Sequence, residues 1–283
     1  MLEIIKAIIY GIVEGITEWL PISSTGHLIL VEELLPFQGT SEGFFDMFDV
    51  VIQLGAILAV VVLFWKQIWH FALSKKEREG KQGALSFVKM DIMTLWFKIL
   101  VSCVPAAVVG ILFDDIFDAL FYNYVSVALA LIIFGIAFII IENWNKGRSA
   151  KINSLAEITY KTAVIIGFFQ LIAAIFPGTS RSGATIVGAL LIGVSRTVAA
   201  EYTFFLAIPV MFGASLLKIV KFGFAFTSLE LVVLLIGTVV AFVVSLFILR
   251  FLMAYIKKHD FKVFGWYRIV LGIVVLLYAA FLA

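Results

Sequence analysis

Gly11-Ile-Val-Glu14-Gly-Ile-Thr-Glu18-Trp-Leu-Pro21-Ile-Ser23-Ser24-Thr25-Gly26-His27 is the stretch that decides the fold. Glu14 and Glu18 are four apart, so a helix places both carboxylates on one face. Pro21 ends that helix, and a run of hydroxyls, a glycine and a histidine follow. Both flanks are apolar, in a chain that is 63% hydrophobic, 14% charged and contains 28 Phe. Soluble domains average about 45–50% apolar and about 25% charged, so this is an integral membrane protein. A charge facing lipid costs at least a few kcal/mol. So polar a stretch inside such a chain points to a polar cavity enclosed by protein. The single cysteine, Cys103, excludes an intramolecular disulfide. The first apolar run carries Lys6 and leads into Glu14, not into a cleavage site.

Working outward, six apolar runs approach the ~20 residues needed to cross the hydrocarbon core: 47–65, 92–112, 123–141, 199–220, 229–249 and 266–283. Residues 2–35 and 156–195 contain apolar pieces too short to cross, interrupted by Pro, Gly and polar residues. Irregular backbone at membrane depth survives only where protein buries it or it lines a wet cavity. Each stretch is therefore expected to be a re-entrant helix–loop–helix.

Basic residues set the expected orientation. Lys66, Lys75, Lys76, Arg78, Lys81 and Lys89 fall in one loop; Lys146, Arg148, Lys151 and Lys161 in a second; and Arg250, Lys257, Lys258, Lys262 and Arg268 in a third, all read as cytoplasmic. The opposing loops are 36–46, 113–122 and 221–228, and the first two hold Glu42, Asp46, Asp114, Asp115 and Asp118 without Lys or Arg. Both termini then lie outside. The chain also repeats: Gly11-x2-Glu14-x6-Pro21 matches Gly167-x2-Gln170-x6-Pro177, each followed by a hydroxyl-rich turn. One re-entrant unit and three spans per copy make the second copy enter from the opposite side, an inverted-topology repeat with its site near the midplane. The expected fold is all-α and polytopic, a single integral domain whose halves are residues 1–150 and 151–283.

The second turn, Pro177-Gly178-Thr179-Ser180-Arg181-Ser182-Gly183-Ala184-Thr185, has the composition of an anion cradle. Glycines let N–H groups approach an oxyanion, the following helix presents its positive end, and Arg181 offers a fork matched to phosphate. A helix-breaking turn whose hydroxyls cap the next helix has the same composition, but does not account for a deep arginine. In the first turn Glu14 and Glu18 suit a hard divalent cation, Mg2+ or Ca2+, or acid–base work. His27 suits a base or nucleophile, and Ser24 a nucleophile if a base adjoins it. Gln170 is expected to orient the loops, whereas Asp49 reads as interfacial. Inverted repeats with broken helices are also the architecture of secondary transporters and lipid flippases, in which Arg181 would hold a carried anion.

Taken together, Glu14–His27 and Pro177–Thr185 resemble the two signature motifs of the bacterial undecaprenyl-diphosphate phosphatases, also called bacitracin-resistance proteins, in order and spacing along the whole chain. The resemblance implies hydrolysis of the terminal phosphate of a C55 lipid carrier diphosphate at the outer face of the bacterial plasma membrane. That reaction recycles the carrier for peptidoglycan synthesis and confers bacitracin resistance. It implies a divalent cation as cofactor, and a polyprenyl diphosphate and membrane lipids as partners, with no nucleic acid. A homodimer is compatible with it. By motif position it implies an active site of Glu14, Glu18, Ser24, His27, Ser180, Arg181 and Thr185. Ser23, Thr25, Gly178, Thr179, Ser182 and Gly183 complete the expected phosphate cradle.

Overall fold

A computed structural model describes residues 1–71, 87 and 89–281 of the chain. Lys75, Lys76, Arg78 and Lys81 of the first basic loop, the side chains of Asp114, Asp115 and Asp118, and Leu282 and Ala283 lie outside the described residues.

The described chain is helical: α1 (Leu2–Thr17), α2 (Ser24–Leu34), α3 (Phe44–Leu63), the single turn α4 (Trp65–Ile68), α5 (Met90–Phe121), α6 (Tyr124–Asn145), α7 (Tyr160–Ile175), α8 (Arg181–Leu191), α9 (Arg196–Phe222), α10 (Ser228–Ile256) and α11 (Lys262–Phe281). Among the described residues six helices are long and apolar enough to cross a membrane, namely α3, α5, α6, α9, α10 and α11. Their outer faces carry large exposed apolar side chains, such as Leu112, Ile133, Phe247 and Val270. On a soluble protein so much exposed apolar surface would drive aggregation; on a membrane protein it meets acyl chains.

The four remaining long elements form two broken pairs. α1 and α2 are 16 and 11 residues, and α7 and α8 are again 16 and 11 residues. At 1.5 Å per residue none reaches the ~30 Å of a hydrocarbon core. α1 stops at Thr17, four residues before Pro21, which has no N–H to donate to Thr17 O. Glu18 is its C-cap and still donates its N–H to Glu14 O at 3.0 Å, so the two acids stay on one face.

Packing explains the repeated glycine. α1 lies against α10, and a methyl at Gly11 would stand 2.6 Å from Gly237 O. In the second half α7 lies against α5, and a methyl at Gly167 would stand 2.6 Å from Ser102 O. Both glycines therefore permit the same close approach of a short helix to a long one. Serine hydroxyls close these contacts: Ser102 donates to Ala163 O at 2.6 Å, and Ser245 to Gly15 O at 3.4 Å.

Two expectations need correction. The predicted loop 113–122 is helical through Phe121, since no Gly or Pro interrupts residues 111–121 and α5 simply continues. Arg268, assigned to the third basic loop, is fully buried within α11, two turns past its start at Lys262. An apolar run that begins at 266 makes Arg268 look like a flanking charge, whereas the helix already begins at Lys262.

Candidate active site

The two helix breaks meet. Arg181, the first residue of α8, donates from Nη2 to Glu18 Oε1 at 2.6 Å, across 163 positions of sequence. Ser182 Oγ donates to the backbone oxygen of Glu18 at 3.1 Å. The other carboxylate oxygen of Glu18 accepts the Ser24 hydroxyl at 3.1 Å. One carboxylate thus joins the candidate nucleophile of the first turn to the guanidinium of the second.

The turns share a local conformation. Ser23 (φ 77°) and Ser180 (φ 66°) are the non-glycine residues with positive φ among the described residues. Each is the N-cap of its helix: Ser23 Oγ accepts from Gly26 N–H and Ser180 Oγ from Gly183 N–H, both at 3.2 Å. Such backbone costs on the order of 1–3 kcal/mol and persists only where its surroundings enforce it. The second turn has one more residue than the first between its proline and its capping serine. The effect of both caps is to bring the positive ends of α2 and α8 to the same pocket.

Arg268 does the enforcing. Its guanidinium donates to Thr179 O at 2.7 Å and Gly178 O at 3.0 Å, with longer contacts to Pro21 O at 3.4 Å, Leu131 O at 3.4 Å and Ala130 O at 3.5 Å. A single buried side chain therefore ties both turns to α6. Gly178 sits at φ 88°, and a methyl there would stand 2.6 Å from Val127 O, so the turn also needs a glycine at this point.

The remaining predicted residues fall as follows. Arg181 also donates from Nη1 to Thr203 O at 2.8 Å, and lies 6.0 Å from the Trp19 ring centroid. Thr185 is buried; its hydroxyl meets Thr203 Oγ1 at 2.8 Å and Arg181 O at 2.9 Å, so it holds the start of α8 against α9. Ser180 and Ser182 hydroxyls are 3.1 Å apart. Ser24, Thr25 and His27 are half-buried. His27 Nδ1 lies 2.7 Å from Ser23 O, and Nε2 lies 2.7 Å from the Tyr267 hydroxyl. A carbonyl only accepts, so Nδ1 carries the proton and, in the neutral ring, Nε2 accepts from Tyr267. Of the expected Gly178–Gly183 amide cradle, Thr179 N–H is taken by Phe176 O and Gly183 N–H by Ser180 Oγ. The amides of the cradle narrow to those at the very start of α8.

Several buried polar atoms of α1 and the two turns have no hydrogen-bond partner: both oxygens of Glu14, Nε of Arg181, Oγ1 of Thr179 and Nε1 of Trp19; both amide atoms of Gln170, on α7, also lack one. Asp49, on α3, has a buried Oδ1 in the same state. Orphaned buried groups are costly, and so many together mark a place where something polar is received. Among the described residues no cluster of three or more His, Cys, Asp or Glu is spaced to hold a metal ion by itself. Glu14, with two uncommitted oxygens beside Glu18, suits the other arrangement, in which one or two carboxylates share a hard cation with water and substrate phosphate.

Sequence reasoning missed Tyr267, Arg268 and Thr203. Nothing in their spacing marks them, since each acts from a long span across a tertiary contact.

The family model described as bacitracin resistance protein BacA matches residues 7–274. The chain belongs to the BacA family. The chain is 65% identical over 278 residues to the undecaprenyl-diphosphatase of Desulfitobacterium hafniense, covering 98% of this chain and 96% of that protein. It is 64% identical over 277 residues to undecaprenyl-diphosphatase 1 of Clostridium acetobutylicum, covering 98% and 97%. With an undecaprenyl-diphosphatase of Enterococcus faecalis it shares 61% over 279 residues, covering 99% and 98%. The BacA match takes in both helix breaks and the long helices that hold them together.

Proposed function

We propose that this chain is an undecaprenyl-diphosphate phosphatase that hydrolyses the lipid diphosphate to undecaprenyl phosphate and orthophosphate, recycling the carrier for peptidoglycan synthesis and conferring resistance to bacitracin. The observation that carries this reading is the contact of Arg181 with Glu18, and of Glu18 with Ser24, in a pocket where two helix N-termini converge. Oxyanion chemistry needs donors aimed at the phosphoryl group and a nucleophile beside a proton acceptor.

On this reading Arg181 holds the terminal phosphate and stabilises the charge of an in-line transition state. Ser24 Oγ attacks the terminal phosphorus and passes its proton to Glu18, the carboxylate it already touches. The bond from phosphorus to the bridging oxygen breaks, and undecaprenyl phosphate leaves with that oxygen. Water then cleaves the phosphoserine, returning Ser24 and releasing orthophosphate. His27 is better suited to orient the turn than to attack, because its Nε2 lone pair already receives the Tyr267 hydroxyl. Glu14 and Glu18 would hold the Mg2+ or Ca2+, which supplies charge neutralisation on the phosphate when bound. Ser23 and Ser180 shape the pocket as caps, while Thr25, Ser182 and Thr185 line or brace it.

An apolar groove of about 420 Å3 between α3 and α9, lined by Leu54, Ile57, Leu58, Val61, Ile208, Pro209 and Phe212, is the route for the prenyl tail. Met211, also on α9, has its Sδ 3.9 Å from Arg181 Nη2, so one helix borders both the groove and the guanidinium.

We further read the fold as an inverted repeat of two halves, 1–150 and 151–283, each a re-entrant pair and three spans. Exchange of packing partners between halves supports it: α1 lies on α10 as α7 lies on α5, while α3 pairs with α9 and α6 with α11. Lys6 reaches Pro36 O, Ser41 N–H reaches Glu230, and Tyr124 reaches Glu33, which gathers the termini of the first pair at one end of the bundle. Asn145 with Leu190, and Arg196 with Glu142, gather those of the second pair at the other. The positive loops support a cytoplasmic second end and therefore an outer location for both termini, and we read the site as opening to that outer face.

Purified protein in detergent, given polyprenyl diphosphate and a divalent cation, is expected to release orthophosphate. Arg181→Ala should reduce this by roughly 10²–10³-fold or more with the thermal transition retained. A well-folded wild-type protein that releases none from a verified substrate would point to an anion carrier.

A further inference from the structure

α8 runs from the candidate active site to a second polar cavity. Its 11 residues put Leu191 about 16 Å from Ser180. There the end of α6, the first turn of α7, the start of α9 and the end of α10 enclose a cavity of about 770 Å3. Its wall carries Arg148, Lys151, Lys161, Arg196 and Lys257 against one acid, Glu142. Glu142 does not neutralise the set. It is buried, receives Nε and Nη2 of Arg196, and also accepts the N–H of Phe261 at 3.0 Å. Arg148, Lys151, Lys161 and Lys257 remain, with Glu201 of α9 as a further acid whose field reaches Lys257.

A bias of Lys and Arg toward cytoplasmic loops accounts for the number of these cations. It does not account for their convergence on one concavity, nor for the way the wall is fastened. Lys151 N–H bonds Gly193 O at 2.8 Å, Ser195 N–H bonds Ile152 O at 2.9 Å, and Ile152 pairs with Val194 as an isolated bridge. Arg148 is held 4.2 Å from the Trp144 ring centroid. Ser195, the N-cap of the 27-residue α9, makes no side-chain cap, so the amides of that helix's first turn are left without one. The exposed Trp144 and Leu191 border the cavity with apolar surface, and its walls are span ends, which sets it at headgroup depth.

We propose that this cavity binds a phosphate-type oxyanion, as presented by an anionic lipid headgroup or by free orthophosphate. The cations supply the charge, the amides of α9 supply donors, and the apolar rim receives acyl chains. The site is separate from the residues assigned to hydrolysis, so its test does not depend on turnover.

Native mass spectrometry of the full-length protein in detergent is the direct test, with phosphatidylglycerol and dodecyl phosphate compared against phosphatidylcholine. Both anionic lipids should be retained at least tenfold better than the zwitterionic one. The triple variant Arg148→Gln, Lys151→Gln, Lys161→Gln removes three exposed charges; at about fivefold per charge, retention should fall on the order of 100-fold, with phosphate release from polyprenyl diphosphate unchanged. The double variant Lys151→Gln, Lys161→Gln should fall between. Displacement of lipid by millimolar orthophosphate would identify the free anion as an occupant; retention despite it would identify the lipid headgroup. Equal retention of anionic and zwitterionic lipid, or undiminished retention by a folded triple variant, overturns the proposal.

Discussion

Replacing Arg268 with methionine removes the donor that ties the two helix breaks together while roughly keeping its bulk. Two of its acceptors are close, Thr179 O at 2.7 Å and Gly178 O at 3.0 Å. Hydrogen bonds from a charged donor are worth about 1.5–3 kcal/mol each, so these two amount to about 3–6 kcal/mol. Replacing a buried ion pair with apolar groups is often neutral, because both charges leave. Here the partners are backbone carbonyls, which stay buried when the guanidinium goes. Relief of the buried charge offsets part of the loss, so the lower end, about 3 kcal/mol, is the working figure. At about 2–4 °C per kcal/mol the thermal midpoint should drop by on the order of 10 °C. The catalytic effect should be larger, since misplacement of catalytic groups by about 1 Å costs about 10²-fold. Arg268→Lys keeps the charge but not the fork and should lie between. Differential scanning fluorimetry and phosphate release on the same preparations check both. If Arg268→Met retains wild-type rate within twofold and melts within 1 °C of wild type, Arg268 does not hold the site together.

Three further outcomes follow from the geometry. Glu18→Gln should lower phosphate release by at least about 10²-fold, since it weakens the Arg181 contact and removes the group placed to accept the Ser24 proton; Ser24→Ala should do likewise, whereas His27→Gln should retain measurable release. Ser23→Gly should be better tolerated than Ser23→Ala in a thermal melt, by roughly 1 kcal/mol, because glycine relieves the positive φ that alanine keeps while both lose the cap. Leu58→Trp, which fills the groove between α3 and α9, should raise KM for a long-chain polyprenyl diphosphate more than for a short soluble diphosphate.

The spans were legible because crossing a membrane demands long apolar runs, and the two breaks because Pro, Gly and hydroxyls have no other reason to interrupt them. The repeated Gly11 and Gly167 were legible as spacing, and the structure supplies the reason, a close approach to α10 and α5. One shared site for the two breaks was expected from the repeat, and the contact of Glu18 with Arg181 joins them. Arg268 was not legible: a lone arginine beside a basic loop reads as a flanking charge until the start of its helix is known. Tyr267 shares that helix and was hidden because its contact with His27 spans 240 positions of sequence. The continuation of α5 to Phe121 was missed because acidic residues at the end of an apolar run resemble a loop, whereas residues 111–121 hold no Gly or Pro to stop a helix already under way.

The central claim is that both broken pairs serve one phosphate. A structure with a non-hydrolysable, methylene-bridged polyprenyl diphosphate bound tests it most directly. The terminal phosphoryl oxygens should lie about 3 Å from Arg181 and from the first amides of α2 and α8, with Ser24 Oγ opposite the bridging carbon. A terminal phosphate seated beyond hydrogen-bond reach of Arg181 and Ser24, with the Glu18–Arg181 contact undisturbed, would contradict the account.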